Sequence, residues 1–550
     1  MTMHRLRPLA VLAVIGALTA TACSSGGKNS TTGGGNVTAI GLDQTVTGTA
    51  TADVGAVTWY GDYRPPYTLD PIKLADYPEE TIIPNLCEPM LRVEPDYTIK
   101  AGAVSYSRTD PTHLVLTLQK GVTFSDGSAV TADDVAYTIN RNLDPAELSN
   151  YAYSFSNVKT VAVTGTGQVT LTLKKADSTV VESLATLAGA IVKKSFVLKA
   201  GKDFGSPKTG VMCTGPYTLK SFDGTSKLVM TKSAHYWDTA NAARSSTFTF
   251  LFPADPSALA NALTSGQIDG AMNVPSNLLT TLKSVSSGKL YVGEQGSTPI
   301  NIDVLMTSST GTLADPKVRQ AISKALDRKA IAAKIYQGTA DPLYRVSGPG
   351  LWGYSRDVFS ADYQKLVAAP DVAAAKALIS SAGATGKSAT FAYPSGDPQS
   401  EQFATILQQT ALSIGLNLQI RALPLQQYGS LFSDPSARKK YDAILTKNYV
   451  ESPDPIAMDR LYGGTAGATN FSGYSNATVD QNLANAVAAT DDTARANHVL
   501  AAEHQLDQDL PSIPVVSLRA LVFQSTKLTG APLTFSYMTS AWAARIGAGN

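Results

Sequence analysis

The residues best suited to catalysis or metal binding are few and scattered. Five histidines (His4, His113, His235, His498 and His504) and three cysteines (Cys23, Cys87 and Cys213) form no cluster at metal-ligand spacing. The chain contains neither a Gly-x-Ser-x-Gly nucleophile elbow nor a His-Glu-x-x-His zinc helix. Gly383-Ala384-Thr385-Gly386-Lys387-Ser388 imitates a phosphate loop, but its first glycine sits two residues too close to the second. The paired acids Asp133-Asp134 and Asp491-Asp492 suit helix starts, where anions meet the positive end of the helix dipole. These residues predict a protein that is not an enzyme and carries no cofactor or resident metal.

The 550 residues are too many for one compact core and predict two to four lobes. With 45 Lys+Arg against 44 Asp+Glu, no basic excess exists to displace counterions from phosphate, so nucleic acid is not an expected partner. Arg5 and Arg7 followed by the apolar stretch Leu9 to Ala20 read as a signal peptide over 1–22. Ala20-Thr21-Ala22-Cys23 then resembles the bacterial lipobox, in which the cysteine is lipidated; a secretory cut near Ala22 leaving Cys23 a free thiol is the competing reading. Residues 23–53, rich in Gly, Ser, Thr and Asn, are expected to form a flexible tether. The expected location is therefore the extracytoplasmic face of a bacterial cell membrane, reached through a lipid anchor. Setting Cys23 aside leaves Cys87 and Cys213 in an oxidising compartment, predicting a disulfide between them, with two reduced core cysteines as the alternative.

The elements that follow are mixed. Ala56–Tyr60 reads as a first strand stopped by the Gly61 to Pro66 loop, and 113–118 alternates with a strand period. Thr131 with Asp134 forms a capping box that opens a helix. Val161/Val163 and Val169/Leu171/Leu173 flank a hairpin turn at 165–167. Asp315-Pro316 starts another helix, Asp327 caps the next as far as Tyr336, and 416–420 is a short strand. Interleaved strands and helices predict an α/β class.

Leu118-Gln119-Lys120-Gly121-Val122-Thr123-Phe124-Ser125-Asp126-Gly127-Ser128, continuing into Val130-Thr131-Ala132-Asp133-Asp134-Val135, resembles the signature of family 5 extracytoplasmic solute-binding proteins. These are the peptide/nickel-type binders of ABC importers. Leu69-Asp70-Pro71, Cys213-Thr214-Gly215-Pro216-Tyr217, Tyr236-Trp237, Ser265-Gly266-Gln267-Ile268-Asp269 and Val318-Arg319-Gln320-Ala321-Ile322 resemble further blocks of that family, in its order. The resemblance implies a two-lobed periplasmic-binding-protein-like fold (type II, cluster C) with an extra subdomain on lobe I. Lobe I is expected over 54–80, 185–290 and 510–550, the subdomain over 81–184, and lobe II over 291–509. Most of these blocks also have a purely structural explanation, as turns, bends and core positions.

For function the resemblance implies capture of a small ligand, a di- or oligopeptide above all, between lobes that close on it, and delivery to an ABC permease by a monomer. A non-peptide cargo such as an oligosaccharide or metal chelate is the alternative, and an extracellular hydrolase a more distant one. The implied ligand-binding residues are Tyr60, Asp62 and Tyr63 in the loop after the first strand, and Asn448, Tyr449 and Glu451 in a second loop. Dipeptide and oligopeptide members place an aspartate in that second loop against the peptide ammonium. Asn448 is expected at that position, where an amide supplies no charge, leaving Glu451 or Asp62 as substitutes. Trp352 and Arg345 are further cleft candidates, with a packing role as the plainer reading for the tryptophan.

Overall fold

The computed structural model describes residues 47–73 and 76–549. The expected signal peptide, Cys23 and most of the expected tether lie outside these residues. The last part of that tether is not free: Ala50 is buried, and Thr51 and Ala52 hydrogen-bond to Ala548 near the C-terminus. The tether expectation is therefore corrected at 47–53, because backbone pairing with the chain end supplies what the sparse side chains cannot.

Two large sheets organise the body. The first has seven strands, in spatial order Gly288–Val292, Leu521–Ser525, Gly270–Met272, Val54–Tyr60, Ser245–Leu251, Lys227–Lys232 and Tyr217–Phe222. At its centre Trp59 packs between Phe248 and Trp542, at ring separations of 6.2 and 5.3 Å. The second sheet has six strands, in order Ala340–Pro342, Ser512–Leu518, Asn301–Met306, Ala443–Asn448, Ser388–Pro394 and Asn417–Leu423. Each sheet has its own apolar core, since each must bury a face. The return to the first sheet was expected at 510, yet Ser512–Leu518 hydrogen-bonds within the second sheet on both of its edges. Its nearly continuous apolar run suits a strand covered on both faces, and the chain crosses back only at 519–520.

A third, four-stranded antiparallel sheet (Val104–Asp110, His113–Leu118, Gln168–Leu173, Val158–Gly165) contains the anticipated hairpin. The helix Ala132–Leu143 packs with it and begins with the complete Thr131/Asp134 capping box. Arg141 on that helix donates to both carboxylate oxygens of Asp70, at 3.0 and 2.7 Å, so the Leu-Asp-Pro block fastens this layer to the first sheet's connections.

Other signature blocks are equally structural. Asp269 accepts the backbone N–H of Thr58 at 2.8 Å, pinning the first strand. Arg319 donates to the carbonyls of Leu313 and Ala314 in the turn before its own helix, and to Asp509 O at 2.8 Å, fastening distant segments. Cys87 ends the helix Tyr77–Leu86 and is joined by a disulfide to Cys213. Beside it, a Cβ on Gly215 would stand 2.5 Å from the backbone carbonyl carbon of Leu86, so only glycine permits that approach. The phosphate-loop lookalike runs from the helix Val372–Ser381 into the strand Ser388–Pro394, the reverse of the strand-to-helix order such loops need.

Candidate binding cleft

The chain passes between the two large sheets twice, at 293–300 and 519–520, and the passages are hydrogen-bonded to each other. Gly293 N–H donates to Ala520 O at 2.8 Å, Ala520 N–H to the Ser297 hydroxyl at 2.9 Å, and Leu518 N–H to Ile300 O at 2.8 Å. Adjacent to these crossings lies a cavity of about 820 Å³, within the range of small-molecule sites. Asn273–Asn277 line it from the first sheet's side; the helix start Asp397–Ser400, Tyr428, Leu445 and Lys447 line it from the second.

Lys447 is the one accessible residue of the otherwise buried strand Ala443–Asn448, and its side chain opens onto the cavity. Its ammonium lies 5.4 Å from the centre of the Tyr77 ring. Burial pushes its pKa down, against the pull of Asp62 and Asp397. Asp62 follows the first strand with φ +86°, a conformation that is strained for any residue with a side chain. Desolvation raises its carboxyl to about 6, although the Tyr63 N–H and the Lys447 and Arg64 charges oppose the rise.

From Tyr77 a chain of contacts leads inward. Its ring packs 4.9 Å from Tyr449, and Tyr449 packs 5.3 Å from Phe535. The Tyr449 hydroxyl donates to Glu80 at 3.3 Å, and Tyr151 donates to Glu451 at 3.1 Å. Glu80 belongs to the helix Tyr77–Leu86 and Glu451 to the loop leaving the second sheet, so the two tyrosine bonds hold acids from opposite sides. Desolvation raises both carboxyls, that of Glu80 strongly, where the Glu451 charge adds to the effect. Glu80 Oε1, Glu451 Oε2 and the Tyr77 hydroxyl are buried with no hydrogen-bond partner among the described residues.

Further contacts tie the two sides. Arg495 bridges Glu182, at 2.5 Å, and Asp454, while Ser452 donates to Glu182 at 2.9 Å. Ser178 N–H reaches Val487 O at 2.8 Å. The sides are thus in contact away from the crossings as well, a closed arrangement.

The residues expected at the site separate into two groups. Asp62, Tyr63, Tyr449 and Glu451 are not in the cavity lining and neighbour it only by way of Lys447 and Tyr77; Tyr63 is half exposed and its hydroxyl donates to Asp76 at 2.6 Å. Tyr60, Asn448, Trp352 and Arg345 do not face it. Tyr60 sits in an apolar cluster with Leu263 and Phe523. Asn448 alternates inward from Lys447 and donates to Asp303 at 2.7 Å inside the second lobe. Trp352 is buried against Phe359 and Tyr363, its indole N–H on Ser347 O at 3.1 Å. Arg345 is enclosed by Asp362, Glu503 and Asp507, already paired within its own lobe. Glu80, Tyr77 and Tyr151, which contact Tyr449 and Glu451, are not among the residues the sequence singles out. Glu79-Glu80 in the first turn of a helix reads as ordinary dipole compensation, and nothing local reveals that Glu80 meets Tyr449.

Two sheets joined by paired crossings around a cavity define a two-lobed binding protein. Residues 87–470 match the family described as bacterial extracellular solute-binding proteins, family 5 Middle, and the chain belongs to that family. Protein XP55 of Streptomyces lividans is 28% identical over 399 residues, 70% of this chain and 69% of the relative. The glutathione-binding protein GsiB of Escherichia coli (strain K12) is 25% identical over 475 residues, 84% of this chain and 89% of the relative. The Escherichia coli murein tripeptide binding protein MppA superposes with a TM-score of 0.72 at 22% identity, covering 91% of this chain and 99% of that one.

Proposed function

We propose that this protein captures a small amine-bearing solute, a di- or oligopeptide above all, between its lobes outside the cell and hands it to an ABC import permease. The observation that carries the reading is that two acids from opposite sides, Glu80 and Glu451, are each held by a tyrosine and each keep a buried oxygen that no described donor satisfies. An ammonium placed there would supply the donors and the charge that both acids lack. The charge that an aspartate would bring at the position of Asn448 is in this reading supplied by Glu451, three residues on, with Glu80 on the other side. The cavity provides room for the rest of the ligand, and Lys447 on its wall offers a cation to an anionic group. Glutathione and murein tripeptide, the solutes named for two relatives, are both peptide-like, which supports the class.

Ligand would favour the closed state because only there do both lobes contact it. Residues 1–22 would direct export and Cys23 would carry the lipid anchor, leaving a monomeric, non-catalytic body at the outer membrane face. Native mass spectrometry of the purified mature protein, followed by calorimetry with L-Ala-L-Ala-L-Ala and its N-acetylated form, tests the reading. Tight binding of the free amine with loss on acetylation is expected. Equal binding of both forms, or an amine-free co-purifying molecule, would refute it.

A further inference from the structure

The four-stranded layer reaches the second lobe by a route that avoids the cavity. Its Leu114, Leu116 and Leu171 share one apolar core with Val57 and Trp59 of the first sheet, so layer and first sheet form one body. After the strand Gln168–Leu173 the chain turns at Asp177, which is tied back to the layer. Arg108 donates to Asp177 O at 2.7 Å, and the Asn157 amide donates to the Asp177 carboxylate at 2.7 Å. The short helix that follows, Thr179–Ser183, is thereby held out against the second lobe.

The second lobe presents a prepared socket. Arg495, on the helix Asp492–Asp509, is held by Asp454 and lies 4.4 Å from the centre of the Tyr354 ring, whose hydroxyl donates to Asp454 at 3.2 Å. All three residues belong to the second lobe, so the guanidinium is positioned there in advance. Glu182 enters the socket through both oxygens: one meets Arg495 at 2.5 Å and the other accepts from the Ser452 hydroxyl at 2.9 Å. Nearby in sequence, Ser178 donates to Val487 O through its N–H at 2.8 Å and its hydroxyl at 3.1 Å. A further contact between the same two bodies sets Arg460 over the Tyr153 ring at 4.8 Å. None of these residues lines the cavity. Each contact is polar or cation–π, so water can replace it on opening without an apolar face being stripped bare.

We infer that the four-stranded layer carries a latch for the closed state: Glu182 plugs into the Arg495–Ser452 socket and favours closure whether or not cargo is present. The latch touches no cargo and is independent of the peptide reading. A contact of this kind adds the same free energy to closure around every ligand. It therefore sets how much of the empty protein is closed, while the cavity sets which solute shifts that balance further.

The test needs no cargo. Protein stripped by unfolding and refolding without reductant, its disulfide intact, is measured by small-angle scattering at neutral pH. Glu182→Lys sets two cations face to face at the socket, a juxtaposition that opposes docking. Among the described residues the Glu182 side chain bonds only to the second lobe, so the change falls on a group that water surrounds in the open state. The radius of gyration of Glu182→Lys should exceed that of the wild type. Tyr153→Ala, which removes an exposed ring, should shift the profile in the same direction and less far. Asp110→Asn alters an exposed acid of the same layer that pairs with His113, and its profile should superimpose on the wild type. A stripped wild type as open as Glu182→Lys would overturn the inference, as would an equal expansion in Asp110→Asn. Should Glu182→Lys not fold, Tyr153→Ala decides, and a profile identical to the wild type then overturns it. Because no solute enters this experiment, its failure leaves the peptide reading standing, and failure of the calorimetry leaves the latch standing.

Discussion

Replacing Asp303 by asparagine should remove a pH dependence of stability that the wild type carries in its second lobe. Asp303 lies on Asn301–Met306, at a bulge where its neighbour across the sheet is Pro514. It accepts from Asn448 at 2.7 Å through one oxygen, while the other has no donor among the described residues. Burial raises its carboxyl from 3.8 to about 8, against the opposing influences of the Asn448 hydrogen bond and the Arg328 charge. The folded state therefore holds a proton that the unfolded state releases between about pH 4 and pH 8, and stability falls as pH rises through that window. With 1.36 kcal/mol per unit, wild type should lose about 3–4 kcal/mol relative to Asp303→Asn between pH 5 and pH 8. The new amide still accepts from Asn448, but its own N–H₂ faces the place where the free oxygen was, costing about 1–3 kcal/mol at every pH. The variant should thus be near wild type at pH 5 and clearly more stable at pH 8. Urea titrations followed by tryptophan fluorescence at the two pH values measure the difference. A variant-minus-wild-type gap that stays constant from pH 5 to pH 8 would show that Asp303 does not take up a proton on folding.

Three other perturbations follow from the packing. Cys87→Ser with Cys213→Ser opens a link across 126 residues, and chain entropy puts the loss at about 5 kcal/mol; unchanged thermal stability would contradict a constraining role. Arg495→Met strands Glu182 and Asp454 without their shared cation, at a cost of about 3–5 kcal/mol to the closed state. Scattering should then show a more open particle, and an unaltered profile would count against the latch. Gly215→Ala forces a methyl onto immovable backbone and should destabilise by about 1–3 kcal/mol; a neutral substitution in a melting experiment would show that the close approach yields easily.

Local structure was legible wherever the signal was local. The Thr131/Asp134 box, the helix starting at Asp315-Pro316 and the hairpin at 165–167 are written in adjacent residues, because capping and turn chemistry act over a few positions. The family blocks were likewise legible, and they identify the fold because Asp70, Gly215, Asp269 and Arg319 hold segments together rather than meet ligand. The site was legible only in part. One strand position separates Lys447, on the cavity wall, from Asn448, on Asp303, since successive side chains point to opposite faces. Arg345 and Trp352 have the chemistry of cleft residues, but long-range neighbours had already claimed them. The amino-acid sequence by itself determined the elements and the family. Which side chains meet across the lobes was decided only by tertiary structure, because Tyr449 reaches Glu80 across 369 residues of chain and no pattern along the sequence encodes that proximity.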